Sequence, residues 1–413
     1  MTSMIVFAAI PIFFILIGVE WWLDHRSGKH YMPFADAFGS LALGVWSIST
    51  KVILISIGGW IYLDLLSGVT LFSSIAMTPL MWLVAFVLYD FCYYWFHRIS
   101  HECNFFWASH VVHHQSEEYN LTTALRQTSS GLFGFLFYFP LYIIGFSPSV
   151  IATVGAINLV YQFWVHTRYI DRLGWLDRVF VTPSNHRVHH GQNDVYIDKN
   201  HGGVLVVWDR LFGTFQDEIP GLKIAYGVTV PVRSLSPLAA NLQVWKQMLR
   251  DIPRAANWRE AFRLVFGRTG WRSESMQEDF PLAKTMARGG TLSRYQPSVE
   301  MPMIAYAAFQ LTVCSLLATF FALNSASYNE PTLWLTWLLI STPLVTCARL
   351  MERRINSYRW ECLRLLVSVM VVLALPLSLH IHLLLSYLII NCLALALLGH
   401  TMRGSEQYPS SSS

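Results

Sequence analysis

The chain has 413 residues, 54% hydrophobic and 13% charged, with a formal net charge of +4. Soluble globular proteins carry about 25% charged residues, so an ordinary soluble domain is excluded, and the absence of an extended Lys/Arg tail argues against nucleic acid as a partner. The six cysteines (Cys92, Cys103, Cys314, Cys347, Cys362 and Cys392) form no C-x-x-C pair and read as free thiols, not a disulfide framework.

Apolar stretches of spanning length fall near residues 4–23, 40–63 and 78–96. The first lacks a basic leader and a small-residue cleavage site, which predicts a retained span. Two more stretches, near 130–146 and 149–166, are joined by the Ser147-Pro148 turn and predict a tight hairpin. Residues 167–300 are polar and mixed, and four further stretches follow near 303–323, 332–348, 364–379 and 381–399. The late spans read as nearly free of acids and bases. The fold expected is all-α: a polytopic membrane helical bundle with a cytoplasmic helical cap carrying a histidine-rich di-metal site. Its expected divisions are N-terminal spans in 1–77, a catalytic domain of spans plus aqueous segment in 78–300, C-terminal spans in 301–400, and a disordered tail in 401–413.

Charge orients the array. Arg26 and Lys29 follow the first span, Arg98 and Arg126 lie beside the first histidine clusters, and Arg349, Arg353, Arg354 and Arg359 separate two late spans; loops 64–77 and 324–331 contain no Lys or Arg. The positive-inside rule then puts the N-terminus outside and all the histidine clusters on the cytoplasmic side, in a bacterial inner membrane or the endoplasmic reticulum. From Lys246 to Arg272 seven basic and two acidic residues alternate with Trp, Phe and Leu. This reads either as an interfacial segment on an anionic leaflet or as an ordinary basic loop.

Chemistry concentrates in three histidine clusters: HRISH (His97, His101), HVVHH (His110, His113, His114) and HRVHH (His186, His189, His190). Spacings of three and four place each cluster on one helix face, and imidazole is the commonest transition-metal ligand. Adjacent buried imidazoles without a metal would leave many ring nitrogens needing partners. Three convergent faces can therefore hold two metal ions. His166, at the end of its span, is a candidate ninth ligand or an interfacial structural histidine; His201 is a weaker candidate. His25, His30, His380, His382 and His400 read as interfacial. Affinity alone permits zinc or copper, but an all-nitrogen set without thiolate suits a pair of six-coordinate iron ions open to oxygen.

These boxes, in this hydropathy, resemble the fatty acid hydroxylase and sterol desaturase superfamily of membrane di-metal oxygenases. The runs HRISHECNFFWASHVVHHQSEEYNLTTALRQ, QFWVHT, TPSNHRVHHGQNDVYIDKNHGGVLVVWDRLFGTFQDE and KIAYGVTVPVRSLSP are similar to the alkylglycerol monooxygenase family over roughly residues 80–272. The resemblance implies two Fe ions and O2, hydroxylation of the carbon beside an ether oxygen in a lipid drawn from the bilayer, and tetrahydrobiopterin or another external electron donor. It carries the eight box histidines over as metal ligands and Glu102 as the acidic residue beside the first box. At position 201 the family tends to have Tyr where this chain has His. No HPGG motif of a fused cytochrome b5 domain is present.

Glu102 is the candidate catalytic carboxylate, orienting a ring or shuttling protons; a solvated interfacial charge is the alternative. Asp90, two helical turns before His97, is expensive in a membrane segment and is expected to buttress the site. Asn120, Arg126, Asn185 and Arg187 are candidate polar contacts. Other branches of the superfamily (sterol desaturase or methyl oxidase, fatty-acid or carotenoid hydroxylase) would share this metal site with a different pocket. A metal transporter would need ionisable groups along several spans.

Overall fold

A computed structural model of the protein describes residues 2–66, 70–72, 75–129, 133–282, 294–375 and 381–407. Among these the protein is helical, with no β-strand and two isolated bridges, Phe180–Leu205 and Gly191–Tyr226. The chain divides into two compact units, one formed by residues 1–33, 60–232 and 241–294, the other by 34–59, 233–240 and 295–413. The helices in chain order are α1 (Thr2–Ser27), α2 (Phe34–Leu66), α3 (Pro79–Glu102), α4 (Asn104–His114), α5 (Leu121–Ala124), α6 (Phe139–Ile144), α7 (Pro148–Trp164), α8 (Pro183–His189), α9 (Val207–Leu211), α10 (Pro237–Asp251), α11 (Trp258–Phe266), α12 (Glu274–Asp279), α13 (Met301–Asn324), α14 (Glu330–Met351), α15 (Ser357–Ala374) and α16 (Ile381–Gln407).

Among the described residues five helices are long and apolar enough to cross a membrane: Ala8–Ser27, Phe34–Leu54, Pro79–Glu102, Met301–Ser327 and Glu330–Met351. The expected hairpin is shorter than its hydropathy suggested. Gly145, at φ +116°, ends α6 after six residues; a Cβ there would sit 2.5 Å from the Phe72 carbonyl oxygen. Ser147 then caps α7, with Pro148 at its first position. At 1.5 Å per residue α7 is about 25 Å long, under the roughly 30 Å hydrocarbon layer.

In the first unit, α3 begins at a Thr78 cap followed by Pro79, and ends where Cys103 turns extended, redirecting the chain into α4. α7 lies against α1 through the stacked rings of Phe13 and Phe163, 3.9 Å apart. It meets α3 through Tyr93 Oη donating to Gln162 Oε1 at 2.7 Å and Asn158 Nδ2 donating to Asp90 Oδ1 at 2.8 Å. Two polar pairs on α3 and α7 thus fix the register of otherwise apolar helices.

In the second unit, Phe38, Ala42 and Ile53 of α2 share a core with Tyr306, Ala307 and Cys314 of α13 and Leu344 and Cys347 of α14. The expectation that the late spans are nearly free of acids and bases meets an exception here. Glu361 and Arg364 lie buried inside α15 and pair with each other; Tyr306 Oη donates to Glu361, and Arg364 also reaches Tyr387 and Asn391. The apolar run begins at residue 364, so the helix turn that precedes it was invisible to hydropathy. α16 continues to Gln407, into the segment expected to be a tail; residues 408–413 and His380 lie outside the described residues.

Candidate metal centre

The nine histidines expected to bind metal converge in the first unit, sorted into two groups. His97, His101, His110, His114 and His189 form one; His113, His166, His186 and His190 form the other, and the ligating atoms lie within 4.8 Å of one another in each group. Helix periodicity does the sorting. His110 and His114, one turn apart on α4, face the first group, and His113 between them faces the second. His186 and His190 likewise face the second group while His189 turns to the first. The groups abut where the His114 and His190 rings stack, centroids 4.4 Å apart.

Backbone carbonyls fix the outer nitrogen of four rings. His97 Nδ1 donates to His201 O at 2.8 Å, His113 Nδ1 to Arg126 O at 3.1 Å, His166 Nδ1 to Gln162 O at 2.8 Å, and His189 Nδ1 to Lys199 O at 2.9 Å. A carbonyl only accepts, so each of these Nδ1 atoms carries the proton and Nε2 presents a lone pair. Burial lowers the basicity of His110, His114, His166, His186, His189 and His190 well below the ordinary imidazole value and pushes His113 down to about 4. The rings are therefore neutral.

This arrangement fits a metal and fits little else. His113 Nε2 and His166 Nε2 face each other at 3.2 Å with both protons committed to carbonyls, so two lone pairs meet without a hydrogen between them. Among the described residues, His189 Nε2 is buried with no hydrogen-bond partner at all. His97 Nε2 to His110 Nε2 at 3.0 Å and His166 Nε2 to His186 Nε2 at 3.0 Å crowd the same interiors. A cation in each group satisfies these lone pairs at once.

The polypeptide holding those carbonyls is itself anchored. Residues 198–205 cross the first group as a strap, with Asp198 and Asn200 at φ +55° and +56°, a conformation Asn and Asp tolerate. Asp90 accepts from Val204 N (2.8 Å), Leu205 N (3.0 Å) and Trp208 Nε1 (3.0 Å). Asp209 accepts from His201 N (2.7 Å) and Gly202 N (2.8 Å), and burial raises its carboxyl to about 6. Gly203 is required by close approach: a Cβ there would fall 2.7 Å from Tyr93 Cδ1 and 2.9 Å from Asp90 Oδ1. The buttressing role expected of Asp90 is thus exerted through the strap, which carries the acceptors for His97 and His189.

The other candidates take their places around this core. His201 belongs to neither group; its carbonyl orients His97 and its ring Nε2 meets Asp198 O at 3.1 Å. Arg126 supplies the carbonyl for His113 and donates from Nε to Val112 O at 2.9 Å. Asn185 Nδ2 binds the carbonyls of Asp177 and Phe180. Arg187 pairs with Glu218 at 2.8 Å and reaches the Thr167 and Ile170 carbonyls, and Asn120 caps α5. These four residues shape the scaffold. Glu102 Oε1 accepts from Arg98 Nε at 3.0 Å, half-buried and outside both groups. The carboxylate facing a histidine is Asp198, whose Oδ1 lies 3.6 Å from His101 Nδ1; burial, and then the Glu102 charge, raises the Asp198 carboxyl above its usual range. His25 and His30 lie on the exposed surface.

Residues 82–214, which contain both histidine groups and the strap, match the family model for fatty acid hydroxylase. Alkylglycerol monooxygenase of Homo sapiens is 33% identical over 87% of this chain and 80% of its own length; that of Danio rerio is 33% identical over 86% and 79%. The chain belongs to the alkylglycerol monooxygenase family. An ornithine lipid hydroxylase of Rhizobium tropici is 33% identical over a shorter stretch, 34% of this chain and 44% of that protein. No solved structure matches the chain. As a member of the alkylglycerol monooxygenase family the protein is an integral membrane lipid hydroxylase, an oxygen-dependent monooxygenase with histidine clusters that can bind metal.

Within this family member, sequence reasoning missed Asp209, Asp198 and Glu20. Glu20, buried in α1, accepts from Leu121 N at 2.6 Å and from Thr167 Oγ1 at 2.5 Å, holding the residue after His166. An acid inside an apolar span carried the available signal. Asp209 had none, because an aspartate in a polar segment reads as solvated.

Proposed function

We propose that the two histidine groups hold two iron ions and that the enzyme cleaves the ether bond of alkylglycerols. The carrying observation is the meeting of His113 and His166 Nε2 lone pairs inside one of two all-imidazole groups. His97, His101, His110, His114 and His189 would hold one ion, and His113, His166, His186 and His190 the other. The bound iron pair supplies oxygen activation and the oxidising power needed to break an unactivated C–H bond, which no side chain provides.

The reaction balances as one lipid C–H, one O2, two electrons and two protons going to one C–OH and one water. Hydroxylation beside the ether oxygen gives a hemiacetal, which loses its C–O bond to leave an aldehyde and a glycerol. A separate donor of the reduced-pterin class, tetrahydrobiopterin for example, is proposed to supply the electrons.

The protein's part is to orient and to enclose. Carbonyls of residues 126, 162, 199 and 201 fix ring tautomers. Trp107 lies 5.2 Å from the His101 ring, Tyr93 5.3 Å from His97 and Tyr119 5.2 Å from His190, so aromatic rings flank the buried histidines. Glu102, coupled to Asp198 and through it to His101, is proposed to move protons at the rim. Chemistry is assigned to residues 78–300 with flanking spans in 1–77 and 301–400, and the histidine face to the cytoplasmic side.

Turnover of an alkylglycerol by purified, iron-loaded enzyme with O2 and a reduced pterin, yielding fatty aldehyde, tests this reading. Turnover of a sterol or a free fatty acid in its place would move the assignment to another branch of the superfamily.

A further inference from the structure

Helix α11 presents an apolar face that the described residues of its own unit leave largely exposed. Trp258, Phe262 and Phe266 recur every four residues and are 73%, 60% and 49% exposed, while Leu264 turns inward and is buried. Leu249, at the end of α10, is 69% exposed. The same segment carries Lys246, Arg250, Arg254, Arg259, Arg263 and Arg268, all exposed, and the Arg259 guanidinium lies over the Trp258 ring at 5.5 Å. The acids of the segment are spent internally. Asp251 accepts from Nε and Nη2 of the buried Arg272, 3.0 Å each, and Glu260 Oε2 accepts from Ala256 N at 2.9 Å. The three carboxylates of α12 come only after that clamp.

The helix is pinned to the end of a membrane span. Asn104 donates from its backbone N to Gly267 O at 3.0 Å and from Nδ2 to Leu264 O at 2.7 Å; Thr269 N donates to Glu102 O at 3.3 Å, and Thr269 Oγ1 to His101 O. Phe105, at the start of α4, stacks on Phe266 with centroids 5.4 Å apart. The exposed aromatic face therefore adjoins the turn where α3 gives way to α4.

We propose that α11 is an interfacial helix seated in a monolayer of anionic phospholipid on the histidine side of the membrane, with its rings among the acyl chains and its guanidinium groups at the phosphates. Aromatic rings on one face and arginines beside it are the composition such a position selects. Because α11 grips the start of α4, this seat sets the height of His110, His113 and His114 relative to the lipid. The seat depends on neither the metal nor the substrate, so it stands or falls apart from the ether-lipid reading.

The test uses the full chain in nanodiscs, with the accessible Cys103, Cys362 and Cys392 replaced and a nitroxide placed by Phe262→Cys, or by Trp258→Cys should the first fold poorly. Collision with lipid-soluble O2 is expected to exceed collision with an aqueous nickel chelate, and exchanging phosphatidylcholine for phosphatidylglycerol is expected to deepen the label. Arg259→Gln with Arg263→Gln should abolish that lipid-dependent shift. A label that meets the nickel chelate as freely as a solvent-exposed loop would overturn the proposal and mark the face for a soluble partner. A phosphatidylglycerol shift that survives the double Gln variant would remove the role given to the arginines.

Discussion

His113 Nε2 and His166 Nε2 lie 3.2 Å apart, and each ring has already given its proton to a backbone carbonyl on the other side. Two neutral imidazoles can share a hydrogen bond only if one of them donates through that contact, and here neither does. A cation between the two rings would satisfy both lone pairs. His166→Ala should therefore empty the four-histidine group and leave the five-histidine group loaded, halving iron per chain. Activity should fall by more than the roughly 10–100-fold typical of losing an outer partner of a metal ligand. Metal analysis showing full iron content in the variant would remove His166 from the site.

Asp90 offers a test at a distance from the metal. Asp90→Ala strips the acceptor from Val204 N, Leu205 N, Trp208 Nε1 and Asn158 Nδ2. Each buried donor left unpaired costs about 1–3 kcal/mol, so the thermal midpoint should drop sharply and iron should leak from the first group as the strap loosens. Retention of iron with an unchanged midpoint would mean that the strap holds itself.

Gly203→Ala asks the same question sterically. The added methyl would meet Tyr93 Cδ1 and Asp90 Oδ1 within 3 Å, and crowding of this kind costs about 1–3 kcal/mol. The expected outcome is a less stable enzyme with weakened iron binding through His97 and His189, whose carbonyl acceptors ride on the strap. Equal stability and iron affinity would show that the strap has room to shift.

How much of this was readable from the chain divides along a physical line. Histidines at spacings of three and four announce a helix face, so the convergence of the eight box histidines was legible, and that of His166 was legible from its place at the end of an apolar run. Their assignment to two separate groups was not, because it depends on how α4 and α8 are rotated against each other. The carbonyls of Lys199 and His201 were equally hidden, since any residue has a carbonyl and only the fold aims it. Hydropathy did not foresee how short the helices of the hairpin near 130–166 are, where a single left-handed glycine at position 145 ends a helix, and it passed over Glu361 and Arg364 at the edge of a window.

Glu102 and Asp198 separate by role. Glu102 engages Arg98 on a partly exposed surface, a pair worth about 0–1 kcal/mol to stability. If Glu102 moves protons, Glu102→Gln should lower kcat with iron content and melting unchanged, and should enlarge the solvent isotope effect. Unchanged kcat in Glu102→Gln together with a loss in Asp198→Asn would hand the role to Asp198.

The buried Glu361–Arg364 pair makes the complementary prediction for the second unit. Removing one partner leaves an uncompensated buried charge, at about 3–5 kcal/mol, so Arg364→Met alone should destabilise more than Arg364→Met combined with Glu361→Gln. Both variants should keep full iron content. Loss of iron would show that the C-terminal helices support the metal centre.

Mössbauer spectroscopy of the 57Fe-loaded enzyme measures the metal centre most directly. Five imidazoles around one ion and four around the other should give two iron sites per chain, unequal in environment, with His166→Ala removing one of them and alkylglycerol turnover disappearing with it. A single iron per chain, or turnover that persists when the four-histidine group is empty, would contradict the two-metal assignment.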